Sequence, residues 1–181
     1  MLATRESTLY GLAAEFDNPE DIVIAAHKAY DEGYRRMDAY TPFPVHGLVE
    51  AIGFRDNKVP WIIFWGGLIG ALGGYALQYW VSAVEYPLNV GGRPLNAWVN
   101  FIPVTFECTI LLAALTAVFG TLALNGLPKP YHPIFNAEGF ERASQDRFFL
   151  CVEAADPAFD REGTAEFLRG IGAVRVVEVQ R

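Results

Sequence analysis

The sequence predicts a membrane protein of the α+β class, in which a two-helix transmembrane hairpin is inserted into a split βαββαβ domain. Three observations predict this fold class. Charged side chains are distributed unevenly, since residues 59–128 hold only three while the other 111 residues hold 32. Two long apolar runs lie in that middle segment, and a strand–helix–strand pattern occurs once on each side of it. The middle segment therefore suits burial in lipid, whereas the flanks have the charge of soluble domains.

Residues 1–46 form the first half of the predicted soluble domain. Residues 8–16 are predominantly apolar and predict a strand. A helix should follow, because Asn18 offers a cap, a proline stands at the first helical position and two acidic residues come next. Apolar residues repeat at helical spacing until Gly33, where we expect the helix to end. Residues 34–40 then predict a second strand.

The first membrane span is predicted at residues 59–84, a run of 26 residues without a charge. As a helix this run is about 39 Å long, enough to cross a hydrocarbon core of about 30 Å. Gly66, Gly70 and Gly74 recur at every fourth residue and so share one face. Such a face lets another backbone approach closely, although glycine is also generally frequent in membrane helices. We expect the face to pack against a partner that spans the membrane several times.

The second span is predicted at residues 98–125, and the glycine-rich outer loop at 85–97 is short enough to make the two spans an antiparallel hairpin. An interfacial linker at 47–58 precedes the hairpin and a cytoplasmic linker at 126–145 follows it. Basic residues near the open end of the hairpin outnumber the single Arg93 in the outer loop. This excess predicts that both termini are cytoplasmic. The basic residues near the open end are Arg55, Lys58, Lys129 and Arg142.

Residues 146–181 repeat the plan of the first half, with strands at 147–154 and 173–179 around a helix. Neither half is large enough to be stable alone. Joined, the two halves give the ferredoxin-like arrangement, in which the first strand of each half lies in the centre of the sheet. Halves that share one sheet must lie on the same side of the membrane, which also requires an even number of spans.

Several function classes are excluded by composition and motifs. The net charge is −7 and no segment is basic enough to hold a nucleic acid. Cys108 and Cys151 belong to no CxxC or CxxCH motif, so this chain should bind neither haem nor an iron–sulfur cluster. No phosphate-binding or GxSxG motif occurs, and the histidines lack metal-ligand spacing. The sequence therefore predicts no cofactor, metal site or catalytic activity of its own. The N-terminus also lacks the pattern of a cleaved signal peptide.

Glu107 is the one charged residue of the middle segment that topology does not explain, since the other two mark the outer loop. It lies nine residues into the second span, about 13 Å along the helix axis. A carboxyl group at that depth is costly unless it is paired or reached by water. Two interpretations stay open. Glu107 forms a hydrogen bond with Thr105, Thr109 or a neighbouring helix, or it belongs to a proton path shared with another subunit.

His46 lies in the segment TPFPVHG, residues 41–47, which leaves the second strand. Two prolines hold this segment extended, and a short amphipathic stretch follows it. That stretch is expected to lie on the membrane surface as a hinge between the domain and the first span. Alternatively, His46 contacts a partner or a proton route at the cytoplasmic face.

Three sequence motifs together resemble a known family. They are TPFPVHG, the glycine-stepped first span that begins near Pro60 and Trp61, and the run IPVTFECT at residues 102–109. On these motifs, nearly the whole chain resembles the DUF3341 family, whose members include the D subunit of bacterial alternative complex III. The absence of CxxCH motifs agrees with the resemblance.

The resemblance implies a cofactor-free accessory membrane subunit of a respiratory or photosynthetic quinol:electron acceptor oxidoreductase in the bacterial inner membrane. It implies quinol-binding partners with several spans, and further partners that carry c-type haems and iron–sulfur clusters. It assigns no role to His46 or Glu107. A different class stays open, namely a membrane-anchored sensor whose ferredoxin-like domain binds a small ligand and regulates a transporter.

Overall fold

The computed structural model describes residues 9–55 and 58–181, which divide into two compact units. The first unit combines the residues up to Arg55 with Pro130–Arg181, and the second comprises the residues between them. A four-stranded antiparallel sheet in the first unit and two long apolar helices in the second confirm the mixed helix-and-sheet class. The predictions for residues 1–8 of the first half-domain and for 56–57 of the interfacial linker lie outside the described residues.

The sheet is built from one pair of strands on each side of the hairpin. The strands are β1 (Leu9–Phe16), β2 (Met37–Tyr40), β3 (Phe148–Glu153) and β4 (Arg175–Gln180). Their order is β2-β3-β1-β4, and every neighbouring pair is antiparallel. The first strand of each half therefore lies in the centre, in the positions the sequence predicted for them.

Helices α1 (Pro19–Glu32) and α5 (Arg161–Gly170) share one hydrophobic core with the sheet. Each helix is followed by a glycine with a left-handed backbone, Gly33 with φ 113° and Gly172 with φ 103°. Only glycine adopts this conformation without strain, which is why the sequence repeat retains it in both halves. The short helix α2 (Leu48–Ala51) adds its two terminal side chains to the same core.

Strand β2 is shorter than the predicted strand at residues 34–40, because backbone N–H groups in the first half of the predicted strand donate to the side chain of Asp156. Asp156 Oδ2 accepts hydrogen bonds from the N–H groups of Arg35 at 2.6 Å and Arg36 at 2.5 Å. Its Oδ1 accepts a third from the N–H of Ala158 at 2.8 Å. One buried carboxylate thus ties the start of β2 to the turn after β3.

The segment predicted as a cytoplasmic linker, residues 126–145, is in large part a component of the core. It forms two short 3₁₀ helices, Pro133–Asn136 and Phe140–Ser144. Ile134 and Phe140 pack in a second core cluster with side chains of the sheet. The central strands are therefore covered by helices α1 and α5 through one cluster and by this segment through another.

The second unit is a pair of packed helices. Helix α3 (Lys58–Tyr79) continues into a π-helical stretch (Trp80–Glu85), and α4 (Trp98–Leu124) includes Pro103. Among the described residues, Lys58–Glu85 and Trp98–Leu124 are long and apolar enough to cross a membrane. Few of their residues are buried within the chain, unlike those of a core helix in a soluble protein.

Candidate functional site in the helix hairpin

Gly66, Gly70 and Gly74 lie buried on the face of α3 that meets α4. A Cβ atom built on Gly70 would stand 2.9 Å from the carbonyl carbon of Cys108 and 3.0 Å from Cα of Thr109. These atoms belong to the backbone of α4, which cannot move aside by a change of rotamer as a side chain can. Glycine is therefore required at this position for the two helices to approach as they do.

The other two glycines of the series contact side chains of α4. A Cβ on Gly74 would stand 2.8 Å from Cβ of Cys108, and one on Gly66 would stand 2.8 Å from Cβ of Thr116. The sequence predicted a multi-span partner on this face. The structure corrects that expectation, because α4 of the same chain already occupies the face.

Gln78 extends the same series by one more step of four residues and links the two helices through its amide. Its Nε2 atom lies 3.1 Å from the carbonyl oxygen of Gly74, from the carbonyl oxygen of Phe101 and from Oγ1 of Thr105. Gln78 was not among the residues predicted from the sequence. The signal was available, since Gln78 is the only carboxamide in the first span and continues the spacing of the glycines.

Glu107 lies on the exposed side of α4 and is not brought to the glycine face. Within residues 9–55 and 58–181 it forms no hydrogen bond or ion pair. Both threonines considered for it have other partners, because Thr105 Oγ1 faces Gln78 and Thr109 Oγ1 donates to the carbonyl oxygen of Thr105 at 2.7 Å. Of the packing interpretations, only a bond to another helix is left.

His46 lies in the first unit, on the loop between β2 and α2, and its side chain is exposed. The next residue, Gly47, has φ 81° and is the N-cap of α2. Glu107 belongs to the second unit. The two candidate proton-path residues, His46 and Glu107, therefore belong to separate units.

A polar cluster that the sequence did not indicate lies in the first unit, around His132. The N–H of Ile134 donates to His132 Nδ1 at 3.2 Å, so in the neutral ring the proton is assigned to Nε2. Nε2 lies 3.3 Å from the hydroxyl of Tyr10, which donates to Glu153 Oε1 at 3.0 Å. The cluster ties the segment after the second span to both central strands.

Burial and neighbouring acids keep the weak acids beside this cluster protonated. Burial, followed by the hydrogen bond and the charge of Glu153, raises the pKa of Tyr10 above its ordinary value. Burial and the charge of Asp38 raise the pKa of Tyr40 in the same way. Burial, with smaller effects of Glu153 and Asp38, raises the pKa of Cys151 to about 12. These groups are therefore neutral at physiological pH.

A surface cavity of about 540 Å³ opens beside the cluster. Its lining combines aromatic rings with hydroxyl groups and one carboxylate. The residues that line it include Asp38, Tyr40, Thr41, His132, Phe135 and Ser144. Among the described residues, no group of three or more His, Cys, Asp or Glu side chains is placed to hold a metal ion.

Residues 10–178 match the family model described as "Alternative complex III, ActD subunit". The chain belongs to this family. The match confirms the family that the TPFPVHG and IPVTFECT motifs indicated, and it covers both halves of the sheet as well as the hairpin. As an ActD-family protein the chain is a subunit of a multi-subunit complex, and its two apolar helices associate it with a membrane. No protein with a curated description matches the chain.

Proposed function

We propose that the chain is a cofactor-free accessory membrane subunit of a quinol-oxidising alternative complex III and has no catalytic activity of its own. The observation that carries the proposal is the family match over residues 10–178. In this role, multi-span quinol-binding subunits and subunits with c-type haems and iron–sulfur clusters perform the redox chemistry. The hairpin anchors this chain beside them, and the sheet unit braces the assembly.

The sheet unit is, in this proposal, a split ferredoxin-like domain. Support comes from the strand order β2-β3-β1-β4, with all neighbours antiparallel, and from the βαβ connection within each half. The hairpin is inserted between β2 and β3, which pair with each other. Two strands that pair directly must lie on one side of a membrane, so the insertion has to cross the bilayer an even number of times.

The proposed location is the bacterial inner membrane, with both termini in the cytoplasm. Support comes from the basic residues near the open end of the hairpin, which outnumber the single Arg93 between the spans. Because Lys and Arg are retained on the cytoplasmic side, the sheet unit is expected in the cytoplasm.

Glu107 and His46 are proposed to contribute to a proton path of the assembly. A carboxyl group inside a span can exchange protons with a chain of water molecules, and the exposed side chain of His46 is accessible to a partner or a proton route. Two helices cannot enclose such a path by themselves. Other subunits would have to form the rest of its wall.

Purification of the tagged full-length chain from its native membranes in mild detergent tests the proposal. Recovery together with haem-containing subunits and quinol oxidation is the expected result. Recovery of the chain alone, or with a transporter and no haem, would contradict it, and recovery with a transporter would favour the sensor function instead.

A further inference from the structure

Helix α4 carries a second face on the side away from α3, which we call the Glu107 face. It consists of Asn100, Glu107, Ala114 and Thr121, which follow one another at intervals of seven residues. Asn100, Glu107 and Ala114 are exposed and Thr121 is half-buried. At about 100° per residue, seven residues are close to two full turns, so these four side chains lie along one line of the helix.

The Glu107 face points away from the contact with α3. That contact is made through Thr105, Cys108 and Thr109, all of which meet the glycine face or Gln78. Glu107 is two residues beyond Thr105, a rotation of about 200° around the helix axis. Neither α3 nor the glycine series can therefore supply a partner for its carboxyl group.

The surroundings of Glu107 on α4 are apolar. Val104, Ile110 and Leu111 flank it and are exposed like it. In hydrocarbon, ionisable side chains almost always face other helices or water and are paired there, because lipid tails offer no hydrogen-bond donor. An unpaired carboxyl group on an outward face of a span therefore indicates that something other than lipid covers that face.

The part of the face toward the end of α4 is formed by small side chains. Ala114 and Thr121 are small, and small residues let two membrane helices approach closely. The face thus combines a polar site at Glu107 with a line of close contact toward the end of α4.

We propose that the Glu107 face binds a membrane helix of another subunit of the complex, which presents a hydrogen-bond donor to the Glu107 carboxyl group and packs closely on Ala114. This inference rests on the proposed function. A helix of another subunit is favoured over a second copy of this chain, because the chain belongs to a family of subunits of a multi-subunit complex.

Variants of the tagged chain, purified with the complex from native membranes, test the inference. Glu107→Leu removes the acceptor and Ala114→Leu obstructs close approach, so each should lower the recovery of haem-carrying subunits per tagged chain by about fivefold. Glu107→Gln keeps a carbonyl acceptor and should recover them within about twofold. Ala76→Leu, at an exposed position of α3, is the matched control and should behave like the wild type.

The outcomes separate this inference from the proposed function. If the wild-type chain recovers haem-carrying subunits and Glu107→Leu and Ala114→Leu recover them equally well, the Glu107 face is not the contact, while the proposed function stands. If the wild type recovers none, the proposed function fails and the inference falls with it. A photo-cross-linker at Val118, about 40° around the helix from Ala114, should join the chain to a different subunit, and a cross-link to a second copy would overturn the inference.

Discussion

Gly70 of α3 lies directly against the backbone of Cys108 in α4, so closely that an added methyl group would stand 2.9 Å from the Cys108 carbonyl carbon. Gly73, one turn along the same helix, has nothing within 4 Å of the corresponding position. Both are glycines of α3, and they differ in whether the position is in contact with α4. Substitutions at Gly70 and Gly73 can therefore be compared directly.

Gly70→Ala should weaken the hairpin, whereas Gly73→Ala should not. Overpacking against a rigid backbone typically costs about 1–3 kcal/mol, while alanine in an open helical position is favoured over glycine by about 0.5–1 kcal/mol. The measurement is the free energy of unfolding of the purified chain in mixed micelles, followed by circular dichroism. Equal effects of the two substitutions would contradict the close contact at Gly70.

The hydrogen bond between Gln78 and Thr105 should be visible as a coupling energy. Interhelical hydrogen bonds in membranes contribute about 0.6–2 kcal/mol, and this one joins atoms 3.1 Å apart. A double-mutant cycle with Gln78→Leu and Thr105→Val, measured by the same unfolding titration, isolates it from the other bonds of the Gln78 amide. Strictly additive effects would show that the side chains do not interact.

Asp156 should make the sheet unit sensitive to acid. Burial alone would raise the pKa of its carboxyl group, but three backbone N–H donors and the charge of Arg36 outweigh burial and hold that pKa below its ordinary value. A group with a depressed pKa in the folded state stabilises the fold above its unfolded pKa of 3.8. That stabilisation is lost as the pH falls through the still lower folded value.

Asp156→Asn should therefore destabilise the sheet unit at neutral pH, by about 1–3 kcal/mol for the lost charged hydrogen bonds, and should reduce the loss of stability below pH 4. Hydrogen exchange of the β2 and β3 amides, compared between pH 7 and acid, measures both effects. Asp31→Asn, at an exposed position of α1, is the control and should leave exchange unchanged. If Asp156→Asn lost stability in acid to the same extent as the wild type, Asp156 would not be the source of the acid sensitivity.

Glu107→Gln should lower the proton coupling of the complex while leaving it assembled. The amide keeps a hydrogen-bond acceptor but cannot exchange a proton, so only a role in proton transfer is removed. Proton uptake per electron in reconstituted vesicles is the measurement. Glu85→Gln at the end of the π-helical stretch is the control. Unchanged coupling in Glu107→Gln would leave this residue with a packing role alone.

Features that depend on local pattern could be predicted from the sequence. The two long apolar helices follow from the absence of charge, and the central positions of β1 and β3 follow from their apolar composition. The four-residue spacing of Gly66, Gly70 and Gly74 defines one helix face, and α4 packs against it. Its occupant could not be predicted, because spacing describes a surface and not the element that covers it.

Features that depend on contacts between distant segments escaped the sequence analysis. The prolines and glycine between residues 126 and 145 suggested a linker, and nothing local shows that Ile134 and Phe140 complete a core. Asp156 shortens β2 from more than a hundred residues away. Gln78 could have been found from the sequence, because it continues the four-residue spacing of Gly66, Gly70 and Gly74 with a polar residue.

The most direct test of the central claim, that this chain is an integral subunit of a quinol-oxidising complex, is a native gel of membranes with and without it. Haem staining should reveal one large band that contains the tagged chain, and quinol oxidation should migrate with that band. Deletion of the chain should abolish or shrink the haem band, and restoring the chain should recover it. A haem band of unchanged size and activity in its absence would contradict the claim.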